Sequence, residues 1–459
     1  MSSDYAPQMP DVAPLAEGLA SRSFSPGMEA ERADAATAAF TRTVEFNFYE
    51  KWLTEQQTAR EAQLFMQDQQ RMYGVYLAPG FAALEPWGEA LEQVGFSYEH
   101  PVGTFVDYDK TLNAGGAEPL PARLITGVTV TPSFRRRGIL KHMMTDSLHR
   151  AVAEGLAVTV LTASEGSIYG RFGFGVATRD AKVQVDLGQS AADRLQLRAG
   201  AEGQVLMVDP TKLESTIKEV FADFHTSTRG SLGRQAWYWK SRSAQWDPQE
   251  RGGWNRNLRA AVHVLEDGTI GGYVTYSHRG WETEPSTIAV GDLIVRSEIS
   301  RRELWRYLGG LDTVERATLR APVQDPTPHA LTNARAWSIT GVEDMLWVRI
   351  LNPVAALEAR AWSSDGEFSL SLTDPLGIAA GTFTVSVSGG IAQVTSTQSA
   401  TTPQHFTLDV ETLGSLYLGD VSVLTMRDAG RITAGDHADW GAFAATFDLA
   451  TAPFCATHF

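Results

Sequence analysis

The residues with the plainest chemical meaning lie between Val128 and Lys141. There Val128-Thr129-Val130-Thr-Pro-Ser-Phe leads into Arg135-Arg136-Arg137-Gly138-Ile139-Leu140-Lys141. Three guanidinium groups and a glycine at the start of a helix suit a diphosphate, because free backbone N–H groups and the positive end of the helix dipole face the anion. Gly138 lets that anion reach the backbone without a Cβ in the way. Val128 and Val130 alternate with Thr129 as in a half-buried strand, and Pro132 closes the strand by removing a ladder donor. Ile139, Met143 and Leu148 recur at near-helical spacing, which starts the helix near Gly138. One helix later comes Val158-Thr-Val-Leu161-Thr162-Ala-Ser164-Glu165-Gly-Ser-Ile-Tyr169-Gly-Arg-Phe-Gly173, an apolar strand followed by a loop that carries a phenol.

These segments need a scaffold around them. Gly103–Asp109 and Ala122–Val130 read as paired strands joined by the turn residues Asn113-Ala-Gly-Gly116. Upstream, Phe40 to Phe48 alternates and is expected to form a first strand. Trp52 to Met72 has the pattern of one long helix, and residues 1–35, rich in Ala, Ser, Pro and acids, read as a flexible tail. A second unit repeats the order after Thr178. It has strands near Val183–Leu187 and Gln204–Val208, a helix over Pro210–His225, and a hairpin turning at Asp267-Gly268. A strand at Ala289–Val295 and a helix over Ser300–Leu311 follow. Where the first unit has its arginine turn, this one has Arg296-Ser-Glu-Ile-Ser-Arg-Arg302 without the glycine. Beyond Leu346 the composition shifts to Ser, Thr, Gly and Val. Glu367–Leu372, Gly381–Val387 and Ile391–Ser396 alternate like an antiparallel sheet with one wet face.

The arginine turn is similar to the acetyl-CoA signature of the GNAT acyltransferases, Q/R-x-x-G-x-G/A, with Leu140 in place of the second small residue. With Ala163-Ser-Glu-Gly-Ser-Ile-Tyr-Gly-Arg-Phe-Gly173, Leu346–Arg360 and Leu413-Gly-Ser-Leu-Tyr-Leu-Gly419, the chain resembles the enhanced-intracellular-survival (Eis) family of N-acetyltransferases over roughly residues 100–459. The resemblance implies an α+β protein of tandem GNAT folds, the second degenerate, followed by a sterol-carrier-like α+β domain. The expected divisions are a tail (1–35), a catalytic GNAT domain (36–180), a degenerate one (181–345) and the C-terminal domain (346–459). It also implies acetyl-CoA as cosubstrate, held by Val128, Thr129, Val130, Arg136, Arg137, Gly138, Ile139, Leu140, Lys141, Ser164 and Glu165, with no metal. Tyr169 is the expected general acid, since a phenol of pKa ~10 is protonated at neutral pH and matched to a leaving thiolate. The expected general base is the terminal carboxylate of Phe459, whose ordinary pKa of ~3.5 calls for burial or a relay water. Thr162 and His458, which differ from the family's usual residues, are expected to face the amine channel. Acceptors implied by the family are aminoglycosides, other polyamines or lysine side chains, attacked in a ternary complex, and the assembly implied is a homohexamer.

Composition sets the outer bounds. The 459 residues exceed one ordinary core and call for several domains. A net charge of −15 argues against nucleic acid as the main partner and favours cationic ligands if the acids line a cleft. The single cysteine, Cys455, excludes an intrachain disulfide and a thiolate metal cluster, and a reducing cytoplasm is expected. No apolar run of membrane-spanning length occurs, so no membrane partner is expected. The rival readings are a non-catalytic acetyl-CoA sensor or lipid carrier, and an acyltransferase using a different acyl donor.

Overall fold

The computed structural model describes residues 5–78, 81, 84–188, 194–199 and 201–459. Three sheets organise the chain. The first has seven strands in the order Leu19–Phe24, Arg71–Leu77, Gly103–Leu112, Leu120–Val130, Val158–Leu161, Trp347–Ile350 and Gly175–Val176. All neighbours are antiparallel except Leu120–Val130 and Val158–Leu161, whose parallel pairing is bridged by the helix Ile139–Ala153. The strands alternate as a two-faced sheet demands. Val106, Leu124, Val160 and Val348 point into one apolar cluster, and Phe105, Ile125, Leu161 and Trp347 into another on the opposite face, under the Ile139–Ala153 helix.

The second sheet also has seven strands and repeats the plan, with a parallel pair, Thr287–Val295 beside Arg316–Pro322, bridged by the helix Glu298–Gly309. The C-terminal unit is a five-stranded sheet in which Gly366–Thr373 runs antiparallel to Gly381–Ser388 and parallel to His405–Asp409. Tandem GNAT-like units and a sterol-carrier-like α+β unit account for this arrangement. No helix among the described residues is long and apolar enough to cross a membrane.

Four sequence expectations are corrected. Phe40–Phe48 is not a strand: Ala35–Asn47 is a helix, capped by Asp34, whose carboxylate accepts from the Thr37 N–H at 2.7 Å. The buried set Thr37, Phe40, Thr41 and Glu45 has helical spacing, and the even-numbered alternation hid it. The helix expected to Met72 spans Glu55–Gln67, opened by a Thr54–Gln57 capping box, and Met72 lies in a strand. Residues 1–35 are not a free tail over their described length. Leu19–Phe24 is the edge strand of the first sheet, and the Pro10 and Ala13 carbonyls bond His149 and His142 on the helix Ile139–Ala153. Finally, Trp347–Ile350, assigned to the C-terminal domain, pairs with Val158–Leu161 in the first sheet. The helix Val410–Tyr417 lies directly on that strand, and a Cβ at Gly414 would stand 2.3 Å from the Val348 carbonyl. Only glycine permits this approach.

Candidate active site

The site begins with a fault in the first sheet. Thr104 and Val106 pair with Thr129 and Thr126, so an extra residue is accommodated around Gly127, which sits at a φ of +59°. This is a β-bulge, and it frees backbone groups from the ladder. On the other side of the same strand the parallel pairing with Val158–Leu161 ends at Ile125–Leu161. Beyond that pair Val128–Val130 continues its strand while Thr162–Ser164 leaves the sheet. Their divergence leaves the side of Gly127–Val130 turned away from Gly103–Leu112 without a neighbouring strand, although the Gly127 carbonyl accepts from Thr104 Oγ1 and the Val130 carbonyl from Arg135.

The arginine turn stands at the end of the opened strand. Arg135, Arg136, Arg137 and Gly138 are exposed, and Gly138 occupies the left-handed region at +77° as N-cap of the Ile139–Ala153 helix. Arg136 is also left-handed, at +64°, a strained setting for a side-chain-bearing residue. No side chain caps this helix. Among the described residues the three arginines and Lys141 have no carboxylate partner; Arg137 lies 5.7 Å from the Phe81 ring centroid, and Arg135 reaches the Val130 carbonyl at 3.4 Å. Uncapped N–H groups, free cations and a left-handed glycine fit the diphosphate of coenzyme A. Ile139 is buried as the first apolar anchor of the helix, and Ser164 and Glu165 are exposed just past the parting strands.

The second unit shows the same fault without the basic turn. Thr275 and Tyr276 pair with Asp292 and Val290, a bulge at Gly291, and its parallel ladder ends at Ala289–Thr318. Here the helix is capped, with Ser297 accepting from the Ser300 N–H and Glu298 in the first turn. An acidic first turn repels an anion. The gap is narrowed to a cavity lined by Asp292, clamped by the two terminal Arg234 nitrogens at 2.7 and 2.9 Å, and by Phe454, Cys455, Ala456 and His458. Burial works against the Asp292 charge, yet Arg234 and Arg242 hold its carboxyl below the usual carboxylate range.

That C-terminal segment is moored to the second unit. The Phe454 N–H donates to the Arg229 carbonyl, Arg234 donates to the Ala456 carbonyl, Thr457 Oγ1 donates to the Leu232 carbonyl, and the His458 N–H donates to the Tyr238 hydroxyl. It delivers Phe459 to the first unit, where the Thr162 hydroxyl donates to the Phe459 main-chain oxygen and the ring lies edge-on to Tyr108 at 6.5 Å. His458 does not face the same channel as Phe459. Strand-like alternation turns it into a separate cavity of about 380 Å³ beside Asp180 and Arg320, where burial lowers its pKa. Cys455 is buried, donates to the Thr457 carbonyl, and has its thiol pushed up to about 12 by burial.

Phe459 lines a cavity of about 820 Å³. Its walls include Phe40 and Glu45 from the first helix, Glu61 and Phe65 from the second, and Gly127 at the bulge. Tyr169 lies across the sheet in the other apolar cluster, 6% exposed, with its ring against Phe174 and Trp347. Trp347 pairs with Leu161, so Tyr169 and Phe459 flank the end of one strand. Burial raises the Tyr169 pKa, and its hydroxyl makes no hydrogen bond among the described residues. His142 is held between the Tyr73 hydroxyl at 2.7 Å and the Ala13 carbonyl at 2.6 Å, a structural bridge. Sequence reasoning missed the cavity's helical wall, whose signal was the Asp34 cap, and the Thr162 contact, which has no local signal.

Comparison with known proteins places the fold in a family. Residues 87–177 and 230–350 each match an acetyltransferase (GNAT) domain family, and residues 353–456 match a sterol carrier protein domain. N-acetyltransferase Eis of Mycobacterium tuberculosis is 34% identical over 339 residues, 73% of this chain and 80% of its own length. An uncharacterized N-acetyltransferase of Streptomyces avermitilis is likewise 34% identical over 339 residues, 72% of this chain and 79% of its own. The crystal structure of Eis1 from Mycobacterium abscessus superposes with a TM-score of 0.68 at 27% identity, covering 80% of this chain and 89% of that one. A GCN5-related N-acetyltransferase from Anabaena variabilis shares the fold at a TM-score of 0.75 and 16% identity, over 96% of this chain and 100% of its own. The protein is an acyl-CoA-dependent N-acetyltransferase, and the chain belongs to the Eis family of GNAT enzymes.

Proposed function

We propose that the protein transfers acetyl from acetyl-CoA to a primary amine of a small molecule, by direct attack in a ternary complex. The observation that carries this reading is the opened strand pair, with an uncapped basic helix start on one face and an amine-sized cavity ending at Phe459 on the other. Acetyl-CoA supplies the thioester when bound. Arg136, Arg137, Gly138, Ile139, Leu140 and Lys141 hold its diphosphate, Ser164 and Glu165 line its pantetheine arm, and the backbone of Val128, Thr129 and Val130 receives the thioester carbonyl. Preorganised N–H donors at that oxygen stabilise its developing charge.

Tyr169 gives the proton to the departing thiolate. Its burial suits the role, because a raised pKa keeps the phenol protonated through neutral and mildly alkaline pH. The Phe459 carboxylate accepts the proton from the amine. Although a carboxylate is a weak base toward a free amine, the nitrogen becomes far more acidic once its lone pair enters the C–N bond. Thr162 orients that carboxylate through its hydroxyl. The products are an acetamide and coenzyme A.

The acceptors to assay first are aminoglycosides, polyamines and lysine peptides, in the cytoplasmic, hexameric setting that the family suggests. Acetyl-CoA-dependent thiol release by purified protein tests the reading. Turnover that disappears in Tyr169→Phe while coenzyme A still binds is the expected result. Binding of acetyl-CoA with no turnover of any amine would instead make the protein a sensor.

A further inference from the structure

The bulge at Gly291 in the second unit opens onto the cavity of about 380 Å³ that His458 lines. Past Ala289–Thr318 the strand Thr287–Val295 has no neighbouring strand on that side, and the backbone of Val290–Ile294 forms one wall. Arg242 lies over the bulge, since a Cβ at Gly291 would stand 3.4 Å from one of its terminal nitrogens. Its Nε is buried without a hydrogen-bond partner, 3.4 Å from an Asp292 oxygen. Among the described residues nothing accepts a hydrogen bond from its terminal nitrogens.

The ion pairs around the cavity leave one positive charge over. Arg234 and Arg242 share the single carboxylate of Asp292, and Arg234 takes both of its oxygens. Arg320 is matched by Asp180, and Arg301 by Asp325 and Glu298. The surplus sits on Arg242, whose free terminal N–H groups form the planar fork that fits a carboxylate. A diphosphate is disfavoured here by the acidic first turn of the Glu298–Gly309 helix, so a singly charged group is the better match. Tyr238, Trp305, Leu319, Met345 and Phe454 supply apolar wall, and the volume is in the range of small-molecule sites.

The terminal segment belongs to the same cavity. Phe454, Cys455, Ala456 and His458 line it, and the Tyr238 hydroxyl in its wall accepts from the His458 N–H at 2.6 Å. The site is complete only while that segment is docked, and Phe459 is the next residue. A ligand that binds the docked form alone stabilises it by mass action. We propose that this cavity is an effector site for a small organic monocarboxylate with an apolar body, whose binding holds the terminal segment, and with it Phe459, in place. Arg242 takes the carboxylate, and the body packs against Tyr238, Trp305 and Phe454. The consequence for turnover rests on the acetyltransferase reading; the binding does not.

The test uses the full chain, with phenylacetate as probe and phenylacetamide as its uncharged counterpart. In calorimetric titration the amide is expected to bind at least about tenfold more weakly, having lost a charge-assisted pair, and Arg242→Gln removes the difference. In parallel, carboxypeptidase removal of Phe459 is followed by the phenylalanine set free. If only the undocked segment is cleaved, phenylacetate at ten times its dissociation constant slows release about tenfold. Arg242→Gln shows no such slowing, which also controls for action on the protease. Leu319→Trp, which fills the cavity, keeps the segment docked and takes no phenylacetate. No binding of phenylacetate, equal binding of acid and amide, binding unaltered in both variants, or equal slowing in Arg242→Gln would overturn the proposal. Neither measurement uses turnover, so these results leave the acetyltransferase reading standing, and failure of that reading leaves the binding site standing.

Discussion

Replacing Thr162 with valine removes one hydroxyl and keeps the branched shape of the side chain. In the folded protein that hydroxyl donates to the Phe459 main-chain oxygen, tying the end of the chain to the strand that flanks the opened pair. A hydrogen bond to a charged acceptor contributes about 1.5–3 kcal/mol. At ~1.4 kcal/mol per decade, its loss predicts a fall of about ten- to a hundredfold in kcat/KM. The pH profile separates positioning from mere packing. Donation to the ionised form favours it, so without the hydroxyl the carboxylate titrates higher and the acid limb of kcat/KM moves to higher pH. The assay is thiol release at saturating acetyl-CoA from mildly acidic to mildly alkaline conditions, with the affinity for coenzyme A followed separately and expected to hold. Thr162→Ser, which restores the hydroxyl, recovers most of the activity. A valine variant as active as the parent, or a serine variant as impaired as the valine, would refute the reasoning.

Other perturbations have equally definite outcomes. Tyr169→Phe lowers kcat by about 10²–10⁴, the usual contribution of general acid catalysis, with coenzyme A affinity unchanged; a parent-like kcat removes the phenol from the chemistry. One residue appended after Phe459 abolishes turnover and leaves coenzyme A binding intact, and undiminished turnover excludes the terminal carboxylate. Gly138→Val forces a β-branched residue into the left-handed region at +77° and blocks the anion's approach, so the KM for acetyl-CoA rises while the amine KM does not. Asp107, buried among Arg150, Arg123 and Arg71 and bonded to Ser147, tests stability: burial opposes its charge, but the three arginines hold its pKa below the unfolded 3.8. Its contribution is therefore complete above that value and is lost as pH falls through the lower folded one. Asp107→Asn removes the carboxylate the three arginines share, while Glu154, Asp109 and Asp146 still meet them, and costs about 1.5–3 kcal/mol, read as a lower urea midpoint at neutral pH that varies less on acidification. An unchanged midpoint would show the cluster to be energetically neutral.

Much of the fold was legible because its signals are local. The alternation of Val128–Val130, the glycine and arginines before Ile139, and the apolar run Val158–Leu161 each specify an element from nearest neighbours alone. The missing Gly138 counterpart in Arg296–Arg302 likewise marked the second unit as degenerate, and in the structure Ser297 caps that helix with Glu298 in its first turn. Where the reading went astray, local pattern and tertiary packing disagreed. The aromatic alternation of Phe40–Phe48 looks like a strand, but Phe46 and Phe48 are exposed while Thr37, Phe40, Thr41 and Glu45 are buried at helical spacing. Burial is a property of the partner surface, and the sequence carries no direct record of it.

The sequence by itself determined the basic turn before Ile139 and the repeated element order, since each depends on residue types at short, fixed spacing, while the sterol-carrier-like ending followed from family resemblance. Only the tertiary structure decided what meets Phe459. The terminal segment crosses the second unit on hydrogen bonds from Arg229 to Tyr238, turns His458 away, and brings Phe459 to Thr162, with 297 positions between the two in the chain. It also decided that Arg251 meets Glu45, Glu50 and Glu61, and Lys110 meets Asp68, beside the Phe459 cavity. Contacts between residues so distant in sequence arise from how three packed sheets present their edges to one another, and no local spacing encodes that.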